Sequence, residues 1–567
     1  MEVLLLAYFL KKTMRGDRLY LSIYESFYSP DTKNTKHKSF RKIGFVDALV
    51  KSGISDPVAT FQKEVDELNQ KRKMEKQKTA SKQISDLSPS RYLGYVPLAK
   101  VMNNLDVEDF FGILSGSRSF QFDVYALFCA LVYARTIAPY SKWKTYNDIF
   151  PRMFPHYDFS YDQILEGLEF MGSEYEKIVE ILTTATQDNY GIDPSCCYFD
   201  CTNFYFEIDK ESELQKKGPS KENRRDPIVG MGLLLDSGMI PIGMKIYPGN
   251  ESEKPVLRQT IKNLKRRNNI TGRTIQIADK GLNCAANIIE AVNQGDGYLF
   301  SKSVKQLPAK EKDWVLLDND YETIRDEKGN SLYKIKSCVD SFTYEYKDEH
   351  GNKFVKTVSE KRIATYSFKL ANKKNHEIDR MVIKARGLRA SQAKKDEYGE
   401  CSRYVRFVDD EGQKAKAVIN EEAIAKDRMV AGYNMLVTSE VHMSSNEIYH
   451  AYHQLWAIEE SFRIMKSELD ARPVYVQKEN SIKGHFLICY AAVLLTRILQ
   501  YRILKNRYGA ERIFQFMRDF TVTKVNERRY INQLTSSDLV NDLATTLNYP
   551  LTNFYLTEAQ IKMMHTR

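Results

Sequence analysis

Tyr452-His-Gln-Leu-Trp-Ala-Ile-Glu-Glu-Ser-Phe-Arg-Ile-Met-Lys466 is the stretch that says most about the fold of this chain. Its apolar residues recur with a helical period, which predicts an amphipathic helix. Tyr452, Glu459 and Lys466 are spaced seven residues apart, so one continuous helix presents all three on one face. A hydroxyl, a carboxylate and an ammonium in line suit phosphate and metal chemistry and are poorly explained by packing alone.

Two aspartates far upstream lie in strand-like surroundings. Asp200 lies inside the predicted strand Tyr198–Glu207, and Asp279 follows the predicted strand Arg273–Ala278. Aspartate is depleted from strands, and a buried carboxylate is costly unless a basic group or a cation accompanies it. For Asp200 a basic partner or a turn cap remains an alternative, and for Asp279 a simple Asp-Gly-type turn remains one.

Three carboxylates from two strands and a helix suit two divalent cations roughly 4 Å apart. Oxygen ligands favour Mg²⁺ or Mn²⁺. The third carboxylate is Glu459 or its neighbour Glu460, which points about 100° away around the helix. Periodicity alone does not choose between them.

The order of elements from residue 195 onwards predicts an α/β fold. A strand, a hairpin (Ile228–Leu235 and Ile240–Tyr247), a helix, a strand, a helix and a further strand follow one another, which is the order of the ribonuclease H-like fold. We therefore predict a ribonuclease H-like core interrupted by a β-rich insertion, with helical flanking regions and a small N-terminal β-containing region. The predicted segments are 1–90 (strands and a charged helix), 91–194 (helical, a candidate DNA-binding domain), 195–305 (first part of the core), 306–430 (the insertion), 431–500 (second part of the core, with the catalytic Glu) and 501–567 (C-terminal helices).

Composition permits a polyanionic partner without demanding one. The 567 residues carry 84 Lys and Arg against 74 Asp and Glu, a net charge of +10, which is a modest excess. Eight cysteines without a CxxC pair indicate reduced core thiols and no zinc site. The apolar run Phe486–Leu499 contains Arg497 and is too short to span a bilayer, so we expect a cytoplasmic protein without a membrane partner.

At this point the motifs resemble those of a known family. The chain is similar to the DDE transposases of bacterial insertion sequences, in the IS-four superfamily, in its branch with a large β-rich insertion. The Y-x2-R-x3-E-x6-K signature of that superfamily maps to Tyr452, Leu455, Glu459 and Lys466, with Leu455 in place of the usual Arg. The first Asp matches Asp200 in Tyr-Phe-Asp-Cys-Thr-Asn, and the second matches Asp279 in Ile-Ala-Asp-Lys-Gly.

The resemblance implies cut-and-paste DNA transposition. Asp200, Asp279 and Glu459 are then the catalytic residues and the ligands of two Mg²⁺ or Mn²⁺ ions, and the choice of Glu459 over Glu460 rests on this resemblance. Tyr452 and Lys466 bind phosphate near the cleavage point. The implied partners are double-stranded DNA (terminal inverted repeats and target) and a second copy of the chain in a synaptic homodimer, and the implied location is the bacterial cytoplasm, at the nucleoid when bound to DNA.

Further DNA contacts are expected from basic and aromatic residues near the site. The stretch Gly218-Pro-Ser-Lys-Glu-Asn-Arg224 also resembles this branch, and it supplies Lys221 and Arg224, with Arg225 next to them. These cations would neutralise phosphates. Trp456 is a candidate for stacking on the DNA ends, and burial in the core is its alternative.

Two other functions share these features. A ribonuclease H-like nuclease or resolvase uses the same three acids but does not join DNA ends. A domesticated copy that only binds DNA is a second alternative, which the intact Asp200, Asp279 and Glu459 disfavour. Terminal inverted repeats flanking the coding region separate a transposase from a simple nuclease.

Overall fold

The computed structural model describes residues 4–29, 34–80, 90–116, 118–221, 225–267, 272–348, 350–387, 399, 401–410, 413–526 and 528–565. The chain divides into two compact units, Met1–Pro89 and Ser90–Arg567. The described residues of the first unit form one sheet and those of the second form three, and each unit has its own buried residues.

In its described residues, the N-terminal unit is an antiparallel sheet with two helices. Its elements are β1 (Leu4–Arg15), β2 (Arg18–Ser29), β3 (Asn34–Phe45), α1 (Val46–Lys51) and α2 (Pro57–Ala80). The side-chain amide of Asn69 on α2 accepts a hydrogen bond from the Tyr8 N–H and donates one to the Tyr8 carbonyl, both at 2.9 Å. Because Tyr8 lies on an edge strand, these bonds satisfy backbone groups that would otherwise be free to pair with another chain.

The second unit contains the remaining elements. Its helices are α3 (Val96–Leu105), α4 (Glu108–Ser115), α5 (Val124–Ile137), α6 (Lys142–Lys144), α7 (Tyr161–Ser173), α8 (Tyr175–Tyr190), α9 (Glu253–Arg267), α10 (Ala285–Asn293), α11 (Ala309–Leu316), α12 (Phe368–Arg386), α13 (Glu421–Met429), α14 (Ser445–His453), α15 (Trp456–Arg463), α16 (Glu479–Arg497), α17 (Ala510–Asp519), α18 (Asp538–Leu547) and α19 (Glu558–His565). Its strands are β4 (Arg91–Tyr92), β5 (Cys196–Tyr205), β6 (Ile228–Leu235), β7 (Pro241–Pro248), β8 (Ile275–Ala278), β9 (Gly297–Lys302), β10 (Glu322–Arg325), β11 (Ser331–Lys347), β12 (Lys353–Ser367), β13 (Val405–Asp410), β14 (Gln413–Ile419), β15 (Tyr433–Thr438), β16 (Thr521–Asn526), β17 (Arg529–Asn532) and β18 (Tyr555–Thr557).

Across the described part of this unit, nine strands form one sheet in the order β10-β11-β12-β15-β9-β8-β5-β6-β7. Strands β5, β6 and β7 form an antiparallel meander, and β8 and β9 continue the sheet on the other side of β5 in parallel. This arrangement of five strands is that of the ribonuclease H-like fold, so the predicted fold class is confirmed. The inner strand β6 is buried throughout, as expected for a sheet covered on both faces.

The segment predicted as a β-rich insertion extends the same sheet. Strand β15 pairs with β9 on one side and with β12 on the other, and β11 and β10 follow β12. The segment also carries helices, of which α12 is the longest. Its buried residues Ala371, Ile378, Val382 and Ala385 recur at helical spacing, a signal that the strand-like runs around it obscure.

A helical layer packs around α16, whose residues are almost all buried. Among the described residues, the stretch Glu479–Ile503 is long and apolar enough to cross a bilayer, but 94% of its apolar window is buried inside the fold, as in the central helix of a globular core. Helices α7 and α16 cross in backbone contact. A Cβ placed on Gly172 would lie 1.6 Å from the Asn480 carbonyl oxygen, and one placed on Gly484 would lie 2.2 Å from the Leu168 carbonyl oxygen.

Candidate active site

Asp200 and Asp279 occupy neighbouring positions at the centre of the sheet. Strands β5 and β8 pair in parallel with Phe199 opposite Ala278, and each aspartate directly follows a member of that pair. Adjacent strands lie about 4.8 Å apart, and paired positions on parallel strands share a face of the sheet. The fold therefore brings the two aspartates together from positions 79 residues apart in the sequence.

The Asp200 carboxyl is in an environment that disfavours its charge. Burial raises the pKa of Asp200 to about 6, and the carboxylates of Glu253 and Asp279 add to the effect, whereas the Lys221 ammonium and the Cys201 N–H oppose it. Its side chain is 25% exposed. A further cation at this point would favour the ionised form.

Asp279 is oriented by two hydroxyl groups. Ser301 donates a hydrogen bond to its Oδ1 at 2.8 Å, and Tyr452 donates one to the same atom at 3.2 Å. Burial raises the pKa of the Tyr452 phenol, and the Asp279 charge raises it further, so this phenol remains a hydrogen-bond donor. Sequence reasoning missed Ser301. Its signal in the sequence is a serine one residue after Phe300, which pairs with Ala278.

The prediction of one continuous helix through Tyr452 and Lys466 is wrong. Helix α14 ends at His453, α15 begins at Trp456, and a π-helical turn, Ile464–Glu468, contains Lys466. The Leu455 N–H bonds to the Tyr452 carbonyl, and the Ala457 N–H bonds to the Gln454 carbonyl. These three-residue steps tighten the backbone between the two helices, so the segment consists of two short helices and a π-helical turn instead of one regular helix.

Glu459 and Glu460 have different surroundings. Glu460 forms an ion pair with Arg497 at 2.9 Å, and the Arg497 side chain is fully buried. Glu459 is exposed, and its charge contributes to raising the pKa of Tyr452. Because Glu460 compensates a buried guanidinium, Glu459 is the glutamate of this pair that is available to the aspartates.

Lys221 and Glu253 complete a charged group around Asp200. The Lys221 Nζ lies 3.7 Å from Asp200 Oδ1 and 3.7 Å from Glu253 Oε1, and it donates a hydrogen bond to the Cys201 carbonyl. Burial alone would lower the pKa of Lys221, but Asp200 and Glu253 outweigh that effect and raise it. Sequence reasoning named Lys221 as a DNA contact and missed Glu253, whose position in the first turn of α9 looks like ordinary helix capping.

The other predicted DNA contacts lie around this group or on the surface. The Lys466 Nζ is 5.6 Å from the ring centre of Phe204, four residues beyond Asp200 on β5. Trp456 is 53% exposed, so the alternative of a core tryptophan is wrong. Arg225 is exposed, and Arg224 lies outside the described residues.

The donor set fits a hard divalent cation in its chemistry. Asp200, Asp279 and Glu459 offer carboxylate oxygens, which Mg²⁺ and Mn²⁺ prefer. Among the residues that the structure describes, no three His, Cys, Asp or Glu side chains are close enough to form a ready-made metal site. The two aspartates follow paired residues on adjacent strands, and Glu459 lies near enough to Tyr452 for its charge to raise the pKa of that phenol.

A sheet of this order, with aspartates on its first and fourth core strands and a glutamate on a following helix, defines a protein of the ribonuclease H-like class. The family model described as "Transposase DDE domain" matches residues 206–495, just over half of the chain. The chain belongs to the transposase DDE-domain family. The match includes Asp279 and Glu459 and begins six residues after Asp200.

Comparison with solved structures finds a cryo-EM structure of a piggyBac transposase synaptic complex with hairpin DNA. It covers 75% of this chain and 77% of that chain, with 8% sequence identity and a TM-score of 0.38. At that score the likeness adds nothing about the site. Comparison with curated proteins finds no match.

Proposed function

We propose that this protein cleaves DNA at the ends of an insertion sequence and joins those ends to target DNA. The observation that carries the proposal is the side-by-side position of Asp200 and Asp279 on two parallel strands. The hydrogen bond from Tyr452 to Asp279 supports it, because this bond brings the segment before α15 to the same place.

In this proposal Asp200, Asp279 and Glu459 hold the metal ions. Two divalent ions, when bound, activate the attacking water or 3′ hydroxyl and stabilise the leaving oxygen. Ser301 and Tyr452 hold the Asp279 carboxylate in one orientation, since both donate to its Oδ1. Glu460, through Arg497, fixes α15 against α16 while leaving Glu459 unengaged by that pair.

The DNA partner is inferred from the family and from the cations around the site. Lys466 lies beside β5, and Arg225 is exposed, so both are suitable for backbone phosphates. Trp456, exposed on the helix that carries Glu459, offers a ring for stacking on an unpaired base. Synapsis of two DNA ends would use two copies of the chain.

The test is a cleavage and joining assay on DNA that carries both ends of the element with its natural flanks. The wild-type protein with Mg²⁺ is expected to release the element and to insert it into a target plasmid. Asp279→Asn is expected to abolish both steps while end binding, followed by gel shift, remains. Asp158→Asn, which removes a carboxylate from an exposed position, is the matched control and should behave as wild type.

The outcomes separate the alternatives. Cleavage without joining identifies a nuclease or resolvase. End binding without cleavage by the wild-type protein identifies a copy that only binds DNA. Equal loss of binding and cleavage in Asp279→Asn would assign Asp279 a folding role and contradict the proposal.

A further inference from the structure

The ammonium of Lys221 lies beside a carboxylate oxygen of Asp200, the first of the proposed metal ligands. Its Nζ lies between Asp200 Oδ1 and Glu253 Oε1, 3.7 Å from each. We propose that Lys221 is a built-in counter-ion of the metal-free protein, which occupies the cation position beside Asp200 and is displaced when a divalent metal ion enters. This inference rests on the proposed function, because it assumes that Asp200 is a metal ligand.

The three groups that hold the ammonium come from two elements of the fold. Asp200 and the Cys201 carbonyl belong to β5, Glu253 is the first residue of α9, and Lys221 lies in the connection between β5 and β6. A Cβ placed on Gly281 would lie 4.0 Å from Glu253 Oε2. Glu253 therefore also lies beside the turn that follows Asp279, and the ammonium faces the same acidic surroundings that a metal ion would.

The contacts of Lys221 are of the kind that a metal ion can replace. Distances of 3.7 Å to both carboxylates exceed hydrogen-bond length, so charge attraction is the main link to them. The Lys221 side chain is 41% exposed, and solvent screening weakens such a pair. A divalent ion binds carboxylate oxygens at about 2.1 Å with twice the charge, and the two cations repel each other at one oxygen.

Displacement gives Lys221 a second task. The lysine side chain is long and flexible, with a strongly hydrated ammonium group. Once released from Asp200, the ammonium remains attached a few ångströms from the metal position and can bind a DNA phosphate there. Metal entry then couples to DNA binding: the same ion that completes the site frees a cation for the substrate.

The test is a calorimetric titration of the full-length protein with Mn²⁺ alone, in the absence of DNA. We expect Lys221→Met to bind Mn²⁺ about tenfold more tightly than wild type, the order expected when a competing charge leaves a partly screened site. Lys280→Met is the matched control, because Lys280 is exposed beside Asp279 and its loss changes the net charge equally. We expect this control to shift Mn²⁺ affinity much less than Lys221→Met.

A second variant serves if Lys221→Met does not fold. Lys221→Arg keeps the charge and adds a planar guanidinium that pairs with carboxylates through two hydrogen bonds, so we expect it to weaken Mn²⁺ binding several-fold. Suppose that wild type binds Mn²⁺, that Asp279→Asn does not, and that both Lys221 variants bind it with wild-type affinity. That result overturns the counter-ion role and leaves the proposed function intact. Absence of Mn²⁺ binding in every protein overturns the proposed metal chemistry and this inference with it.

Discussion

The carboxylate of Glu460 lies 2.9 Å from the guanidinium of Arg497, whose side chain has no exposed surface. Arg497 also donates to Ser461 Oγ, to the Ala457 carbonyl and to Gln500 Oε1. Glu460 is thus the carboxylate that compensates a buried charge between α15 and α16. Its neighbour Glu459 lies outside this network and is free for another role.

We expect opposite effects from substituting the two adjacent glutamates. Glu460→Gln leaves a buried guanidinium without its counter-charge and should lower the free energy of unfolding by about 3 kcal/mol. Glu459→Gln should leave stability unchanged, since Glu459 is exposed, and should abolish DNA cleavage. Urea unfolding and the cleavage assay measure the two properties. If Glu460→Gln were instead stable but unable to cleave DNA, and Glu459→Gln were active, Glu460 and not Glu459 would be the catalytic glutamate.

The crossing of α7 and α16 should not tolerate a methyl group. Gly172→Ala puts a carbon 1.6 Å from the Asn480 carbonyl oxygen, so the helices must separate, and we expect a loss of about 3 kcal/mol in unfolding free energy. Gly112→Ala is the control, because Gly112 also lies in a helix but nothing lies within 4 Å of its Cβ position. That substitution should stabilise by about 0.5 kcal/mol through reduced backbone entropy. Equal effects of the two would show that the helices are not in contact.

Because of His565, we expect the stability of the protein to decrease at mildly acidic pH. Burial lowers the pKa of His565 from 6.5 to about 4, so between these values the unfolded chain binds more protons than the folded one. The contribution of neutral His565 to the free energy of unfolding is then fully present above pH 6.5 and is lost as pH falls towards 4. The thermal unfolding midpoint of wild type should fall over this range more steeply than that of His565→Phe, which keeps the ring beside Tyr95 and Phe154. Parallel pH profiles of the two proteins would contradict the assignment.

Ser301 and Tyr452 should act together on Asp279. Each donates a hydrogen bond to the same Oδ1 atom, and a hydrogen bond to a charged group contributes about 2 kcal/mol. We expect Ser301→Ala and Tyr452→Phe each to slow single-turnover cleavage about tenfold, and the double variant to differ from the sum of the two by at least ~0.5 kcal/mol. Strict additivity would mean that the two hydroxyls act on separate groups.

The core of the fold could be predicted from sequence because its elements are local. The hairpin predicted at Ile228–Leu235 and Ile240–Tyr247 is observed as β6 and β7 with limits that differ by one residue. Ser444 and Ser445 are the cap candidates for the helix predicted through Glu459, and Ser444 is the observed cap, together with Glu447 in a reciprocal capping box, but of α14, which ends at His453 before Glu459. In both cases a short run of residues contains the turn or cap chemistry that determines the structure.

The arrangement of the helices and the contacts between side chains distant in the chain could not be predicted from the sequence. The break between α14 and α15 occurs without Pro or Gly at positions 454 and 455, so local propensity gave no sign of it. The charged group of Lys221 and Glu253 joins a loop to a helix start 32 residues away, and neither residue type is unusual where it stands. The difference between Glu459 and Glu460 depends on Arg497, and the periodicity of the sequence does not show which glutamate pairs with it.

The contact of α7 with α16 has a consequence for how this chain can be divided. Leu168 and Met171 of α7 share one buried cluster with Ile482 and Phe486 of α16, and Phe204 of β5 belongs to it as well. A fragment of residues 91–194 would expose Gly172 and the apolar side chains that α16 covers in the whole chain. The helical segment and the sheet therefore share one core. Replacing either of them alone with the corresponding part of a relative would leave that core incomplete, whatever boundary the composition of the sequence indicates.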